Sequence, residues 1–144
     1  MSRTADIDFK FEAVVDVGGV LAGLREGGIS FVMDGGVSYV VDEDGLFDWA
    51  RVDEERMPEV LRLFAGADPG TTTIGISALL DEFPRGGDLL FLPGRQAISF
   101  LIEINRKNLP AGSKFCDFGW YVDRLVPLLE TFGLTEINAH DLPY

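Results

Sequence analysis

The sequence predicts an α+β fold, a mostly antiparallel sheet with two main helices, in a single domain over residues 1–144. Three observations lead there. Short β-branched and aromatic runs recur along the chain with turn residues between them. Two longer segments switch to helical spacing. Several neighbouring runs are joined by hairpin-type turns, which make antiparallel pairs. A hydrophobic content of 47%, with 11 Phe, 3 Tyr and 2 Trp, supplies a core, and 25% charged residues argue against disorder.

Ile7–Ala13 alternates apolar and charged residues, the pattern of a half-buried strand. Val20–Glu26 reads as a short helix closed by Gly27-Gly28. Ile29–Met33 and Val37–Val41 are strand-like runs around Asp34-Gly35-Gly36, residues that tolerate positive φ, so a hairpin is expected. Asp44-Gly45 marks another turn, with Leu46–Trp49 as a third strand. The first main helix is expected over 53–65, capped by Asp53, with Leu61 and Phe64 in the core and Gly66 at its end. A loop over 67–72 and a strand over 73–77 follow, then a helical turn over 79–83 and a break at Pro84–Gly87. Leu89–Leu92 and Ala97–Ile104 form a second expected hairpin, and 105–114 a loop. The second main helix is expected over 120–132, with Leu125, Leu129 and Phe132 in the core, and Leu134–Ala139 is the closing strand.

The surroundings of the two helices are alike. Phe47-Asp48-Trp49 matches Phe118-Gly119-Trp120, Val52-Asp53 matches Val122-Asp123, and a proline (Pro58, Pro127) follows each. Two related β-β-α-β units sharing one sheet would produce that likeness.

Charge separates the halves. The chain has 24 acids and 12 bases, a formal net charge of −12. Residues 1–84 hold 17 acids and 6 bases, and residues 85–144 hold 7 and 6. Eight acids crowd into 42–59: Asp42, Glu43, Asp44, Asp48, Asp53, Glu54, Glu55 and Glu59. Such a field repels nucleic acid and anionic membrane and attracts basic protein surfaces. Lone Cys116 precludes an internal disulfide, which fits a reducing cytoplasm. The polar start, Met1 to Asp6, lacks the apolar stretch of a signal peptide and reads as the start of a complete small protein.

Chemistry-bearing residues are sparse. His140 and Cys116 are a thiol and an imidazole, but Cys116 lies among aromatics, where a buried inert thiol is expected. Asp42, Glu43, Asp44 and Asp48 offer oxygen ligands without calcium-loop spacing and read as a charged turn. Asp6 and Asp8 share one strand face, as an acid–base pair would, and read as a solvated edge. Gly66–Thr73 follows a helix and lacks the Gly-Lys-Ser/Thr ending of a phosphate loop. Arg85, Arg95, Arg106, Lys107 and Lys114 are expected to pair with the acidic half across the fold or to keep loops solvated.

No catalytic residue, cofactor or metal is assigned. The function this implies is a small acidic inhibitor of a basic protein partner, such as an immunity protein neutralising a toxin or nuclease, acting as a monomer or homodimer. Its expected partner-binding residues are the eight acids with Trp49, and Phe47 is a second aromatic anchor. Two alternatives stand beside it. One is an adaptor or subunit domain. The other is a small-ligand or enzyme domain with a pocket of Trp49, Trp120 and Tyr121 beside Asp48, Asp117 or His140.

Overall fold

The computed structural model describes residues 3–144; Met1 and Ser2, which open the polar N-terminal run, lie outside the described residues. In chain order the elements are β1 (Arg3–Phe11), α1 (Val17–Glu26), β2 (Gly36–Asp42), β3 (Ala50–Asp53), α2 (Met57–Gly66), β4 (Thr73–Leu79), β5 (Gly86–Phe91), β6 (Ala97–Ile104), α3 (Phe118–Leu129) and β7 (Leu134–Pro143). The fold is α+β. Seven strands form one sheet in the order β3-β2-β4-β5-β6-β1-β7, and every pairing is antiparallel.

Alternation along the strands builds two unlike faces. Register aligns Ile76, Leu89, Phe100 and Ile7 in one row, and Ile74, Phe91, Ile98 and Phe9 in the next. All eight are fully buried. Three helices cover this face through Val20, Leu21 and Leu24 of α1, Met57, Val60 and Phe64 of α2, and Tyr121, Leu125 and Leu129 of α3. Phe64 meets the Tyr39 ring edge-on, and Tyr121 lies against Phe100. The other face carries the intervening residues, among them Asp6, Asp8, Ser77, Asp88, Leu90, Ser99 and Leu101, and no helix among the described residues packs on it.

Several sequence expectations are corrected. Residues 29–33 are not a strand. Ile29 and Phe31 turn into the core, and the segment pairs only at two isolated bridges, Ser30 with Leu79 and Met33 with Gly36 across the turn, each exchanging two backbone hydrogen bonds. The Asp34-Gly35 turn does form, with φ of 50° and 76°, but it leads directly into β2. Residues 46–49 form a loop, and the third strand begins at Ala50. The helix expected at 53 begins later: Asp53 ends β3, its carboxylate caps nothing, one 3-10 turn (Glu54–Arg56) intervenes, and Pro58 sits in the first turn of α2. β4 runs on through Leu79, so no helical turn forms at 79–83. The helix expected over 20–26 is longer, and the carboxylate of Asp16 caps it by accepting from the Gly19 N–H at 2.9 Å. Leu61 and Phe132 are only partly buried. Phe132 packs on the outer side of α1, where a Cβ on Gly23 would lie 3.1 Å from its ring.

The two β-β-α-β runs, β2-β3-α2-β4 and β5-β6-α3-β7, are present and share the sheet, but their wiring differs. β4 returns to pair with β2, whereas β7 pairs with β1. No helix among the described residues is long and apolar enough to cross a membrane.

Candidate functional site

The acidic segment occupies the β3 edge of the sheet. Its residues fall into two groups at opposite ends of the four-residue strand β3, about 10 Å apart at the rise of an extended chain. Glu43, Asp44 and Asp48 lie in the loop beyond β2, and Asp53, Glu54, Glu55 and Glu59 lie around the start of α2. All seven are exposed.

Asp42 does not belong with them. It is 7% exposed, and its carboxylate accepts the N–H of Gly45 at 3.0 Å and of Phe47 at 2.9 Å. It is the internal clasp of the loop, not a steering charge or a free metal ligand. That clasp is why residues 46–49 are not a strand: N–H groups that a ladder would use are taken by a carboxylate. Asp44 repeats the device, accepting the Leu46 N–H at 3.0 Å. The loop backbone is bent further by positive φ at Gly45 (83°) and Phe47 (50°), a conformation unusual for a phenylalanine.

So folded, the loop holds three large apolar side chains in solvent. Leu46 is 70% exposed, Phe47 39% and Trp49 38%. Trp49 precedes β3 and lays its ring across Val40 onto Gly75, where a Cβ would meet the indole at 3.0 Å and Leu90 and Val40 at 2.8 Å. Gly75 is thus the close-approach glycine that seats the indole on the open sheet face. At the other end, Arg56 pairs with Glu59 at 2.8 Å. Their mutual hydrogen bond raises the arginine and lowers the glutamic acid relative to their ordinary values.

Ion pairing leaves the acidic half uncompensated. The bases of residues 85–144 were expected to neutralise it; instead Arg106 pairs with Asp141 and Lys107 with Asp117, acids of their own half. Even Arg3 and Lys10, bases of the first half, pair with Asp141 and Glu136. Among the described residues, Glu59 is the one acid of residues 3–84 with a Lys or Arg partner, while Asp6 and Asp8 face His140.

A second group of carboxylates lies on the open face, the expected pair Asp6 and Asp8 together with Asp88 and Glu103, which the sequence did not single out. Asp88 accepts from the Ser77 hydroxyl at 2.7 Å. Glu103, although exposed, is pushed up to about 7, first by desolvation and then by Asp88 beside it. Asp6 bonds to the His140 ring at 2.8 Å, and Asp8 to the Ser99 hydroxyl. Alternation along β1 put Asp6 and Asp8 on one face. Their place in the sheet was legible only from the register, because β1 lies between β6 and β7 and is not an edge.

Cys116 and His140 are held apart by strand geometry. Successive residues of β7 face opposite ways. His140 turns to the open face and Asp6. Asp141 turns away and accepts the Cys116 backbone N–H at 2.7 Å. Burial raises the Cys116 thiol to about 11, so it is protonated at neutral pH. The expected aromatic pocket is likewise not assembled. Tyr121 is buried under the helices, with its hydroxyl accepting the Lys107 N–H at 2.9 Å, whereas Trp49 lies on the opposite side of the sheet. No protein-family model matches this chain, and neither a curated protein nor a solved structure matches it.

Proposed function

We propose that this chain is an acidic protein-binding inhibitor whose partner is a basic protein, and that the β3 edge is the docking surface. The observation that carries the reading is the loop from Glu43 to Trp49. Three carboxylates without a Lys or Arg partner stand there among three solvent-exposed apolar side chains, on a backbone fixed by Asp42. An interface needs both ingredients: carboxylates steer a cationic partner in, and desolvated aromatic anchors set how long it stays. A pre-formed loop also limits the ordering entropy lost on binding. The scarcity of Lys or Arg partners for the described first-half acids, Glu59 alone having one, supports the reading further, because like-charge crowding opposes folding unless another surface relieves it. A secreted toxin or nuclease is the kind of basic partner that such a field suits, and an immunity protein is its cellular counterpart.

The partner is sought among basic products of adjacent genes, by capture on the immobilised chain at low ionic strength. Trp49→Ala is expected to weaken that complex by about 30-fold, mainly through faster dissociation, as for a hot-spot aromatic worth about 2 kcal/mol. Surface plasmon resonance on the variant, checked as folded by circular dichroism, reads the effect. An unchanged dissociation rate for both Trp49→Ala and Phe47→Ala would remove the loop from the interface.

A further inference from the structure

The geometry points to a divalent transition-metal site on the open face of the sheet, formed by Asp6, Asp8 and His140. This site is separate from the β3 edge and does not depend on the binding role proposed for it. Asp6 and Asp8 are alternate residues of β1, so both carboxylates leave the same side of the strand. His140 is the direct register partner of Asp6 across β7. The strands therefore bring one imidazole and two carboxylates to one point without any loop.

The donor atoms already converge. His140 Nδ1 lies 2.8 Å from Asp6 Oδ1 and 3.9 Å from Asp8 Oδ2, and one ligand atom from each residue falls within 4.8 Å of the others. Ligands about 2.1 Å from a shared ion stand about 3 Å apart when adjacent and about 4 Å when opposed, so small side-chain adjustments close the set. Asp8 is oriented from behind: its other oxygen, Oδ1, accepts from the Ser99 hydroxyl, leaving Oδ2 toward His140. A hydrogen-bonding group that aims a ligand in this way is a regular feature of metal centres.

The surrounding charges favour a cation. Lys10, the base on the same face of β1, is engaged with Glu136 at 3.1 Å. Among the described residues no Lys or Arg pairs with Asp6 or Asp8; His140 is the one basic side chain against them. Two carboxylates on an interior strand thus lack a fixed positive charge. The mixed nitrogen and oxygen donors suit zinc or manganese better than calcium, which takes oxygen alone. Three protein ligands leave positions open for water or for an anionic group brought by another molecule.

The test uses untagged protein freed of metal by a chelator, titrated calorimetrically with zinc chloride, manganese chloride and calcium chloride. One zinc per chain is expected, tighter than manganese, with a rise in melting temperature and movement of the His140 ring resonances on zinc addition. Asp8→Asn and His140→Ala should each weaken zinc by at least about tenfold, and Ser99→Ala by about 10-fold to 100-fold. Glu43→Gln with Asp44→Asn, in the other acidic group, should leave the affinity unchanged. Should His140→Ala fail to fold, Asp8→Asn and the resonance shifts decide the matter. Absence of saturable zinc binding tighter than about 1 mM overturns the assignment. So does binding that His140→Ala leaves intact, or His140 resonances that zinc does not move.

Discussion

Asp141→Asn is expected to lower the free energy of unfolding by about 3–5 kcal/mol, the range for removing one partner of a buried ion pair. Asp141 is the junction of three distant segments. Its carboxylate takes Arg3 Nε at 2.8 Å, Arg106 at 3.0 Å and the Cys116 N–H at 2.7 Å, with 7% of the side chain exposed. The substitution leaves two guanidinium groups half-sequestered with no counter-charge, and it loosens the start of β1, the 105–116 loop and the end of β7 together. Burial alone would raise the Asp141 carboxyl. The Cys116 N–H and the two arginines outweigh burial, and the group titrates below its ordinary 3.8. A depressed folded value adds stability above the unfolded value and loses it as pH falls through the folded one. The acid limb of the stability curve, below about pH 4, should therefore be shallower in Asp141→Asn. Urea denaturation across that range reads both effects, and a loss under about 1 kcal/mol at neutral pH would place Asp141 with ordinary surface pairs.

Phe100→Ala is expected to cost about 3–5 kcal/mol. Phe100 is fully buried in the centre of the sheet, between Leu89 and Ile7 in register and under the Tyr121 ring. Its loss opens a cavity between sheet and α3 that neighbouring strands cannot collapse to fill. Phe132→Ala should cost clearly less, because Phe132 is only partly buried against α1. Equal denaturation midpoints for the two variants would mean that α3 does not pack on the sheet as described.

The fold class was legible because alternation survives in the strands that matter most. β1, β6 and the α3 face read directly from apolar spacing, and Gly133, at φ 88°, ends the helical segment as expected. The misreadings share one cause: a polar or backbone group elsewhere claimed the segment. The Asp42 carboxylate turned 46–49 into a loop, Leu79 and Gly36 took the backbone of Ser30 and Met33 as isolated bridges, and Asp53 went to β3 in place of capping a helix. Side-chain competition with the backbone of this kind has no periodic signature. The acidic segment was visible as composition, but not its division into two groups or the internal role of Asp42. The Asp6, Asp8 and His140 cluster was invisible as a unit, since it depends on the pairing of β1 with β7 across 134 residues.

The docking role of the β3 edge is tested most directly by the association rate with the captured basic partner, measured by stopped flow against ionic strength. Glu43, Asp44 and Asp48 are changed together to Lys, with Asp42 left in place because it holds the loop. The account predicts association at least about tenfold slower at low salt and a flatter salt dependence, with folding intact. A triple variant that associates at the wild-type rate in low salt would contradict it, and the acidity of this edge would then serve solubility alone.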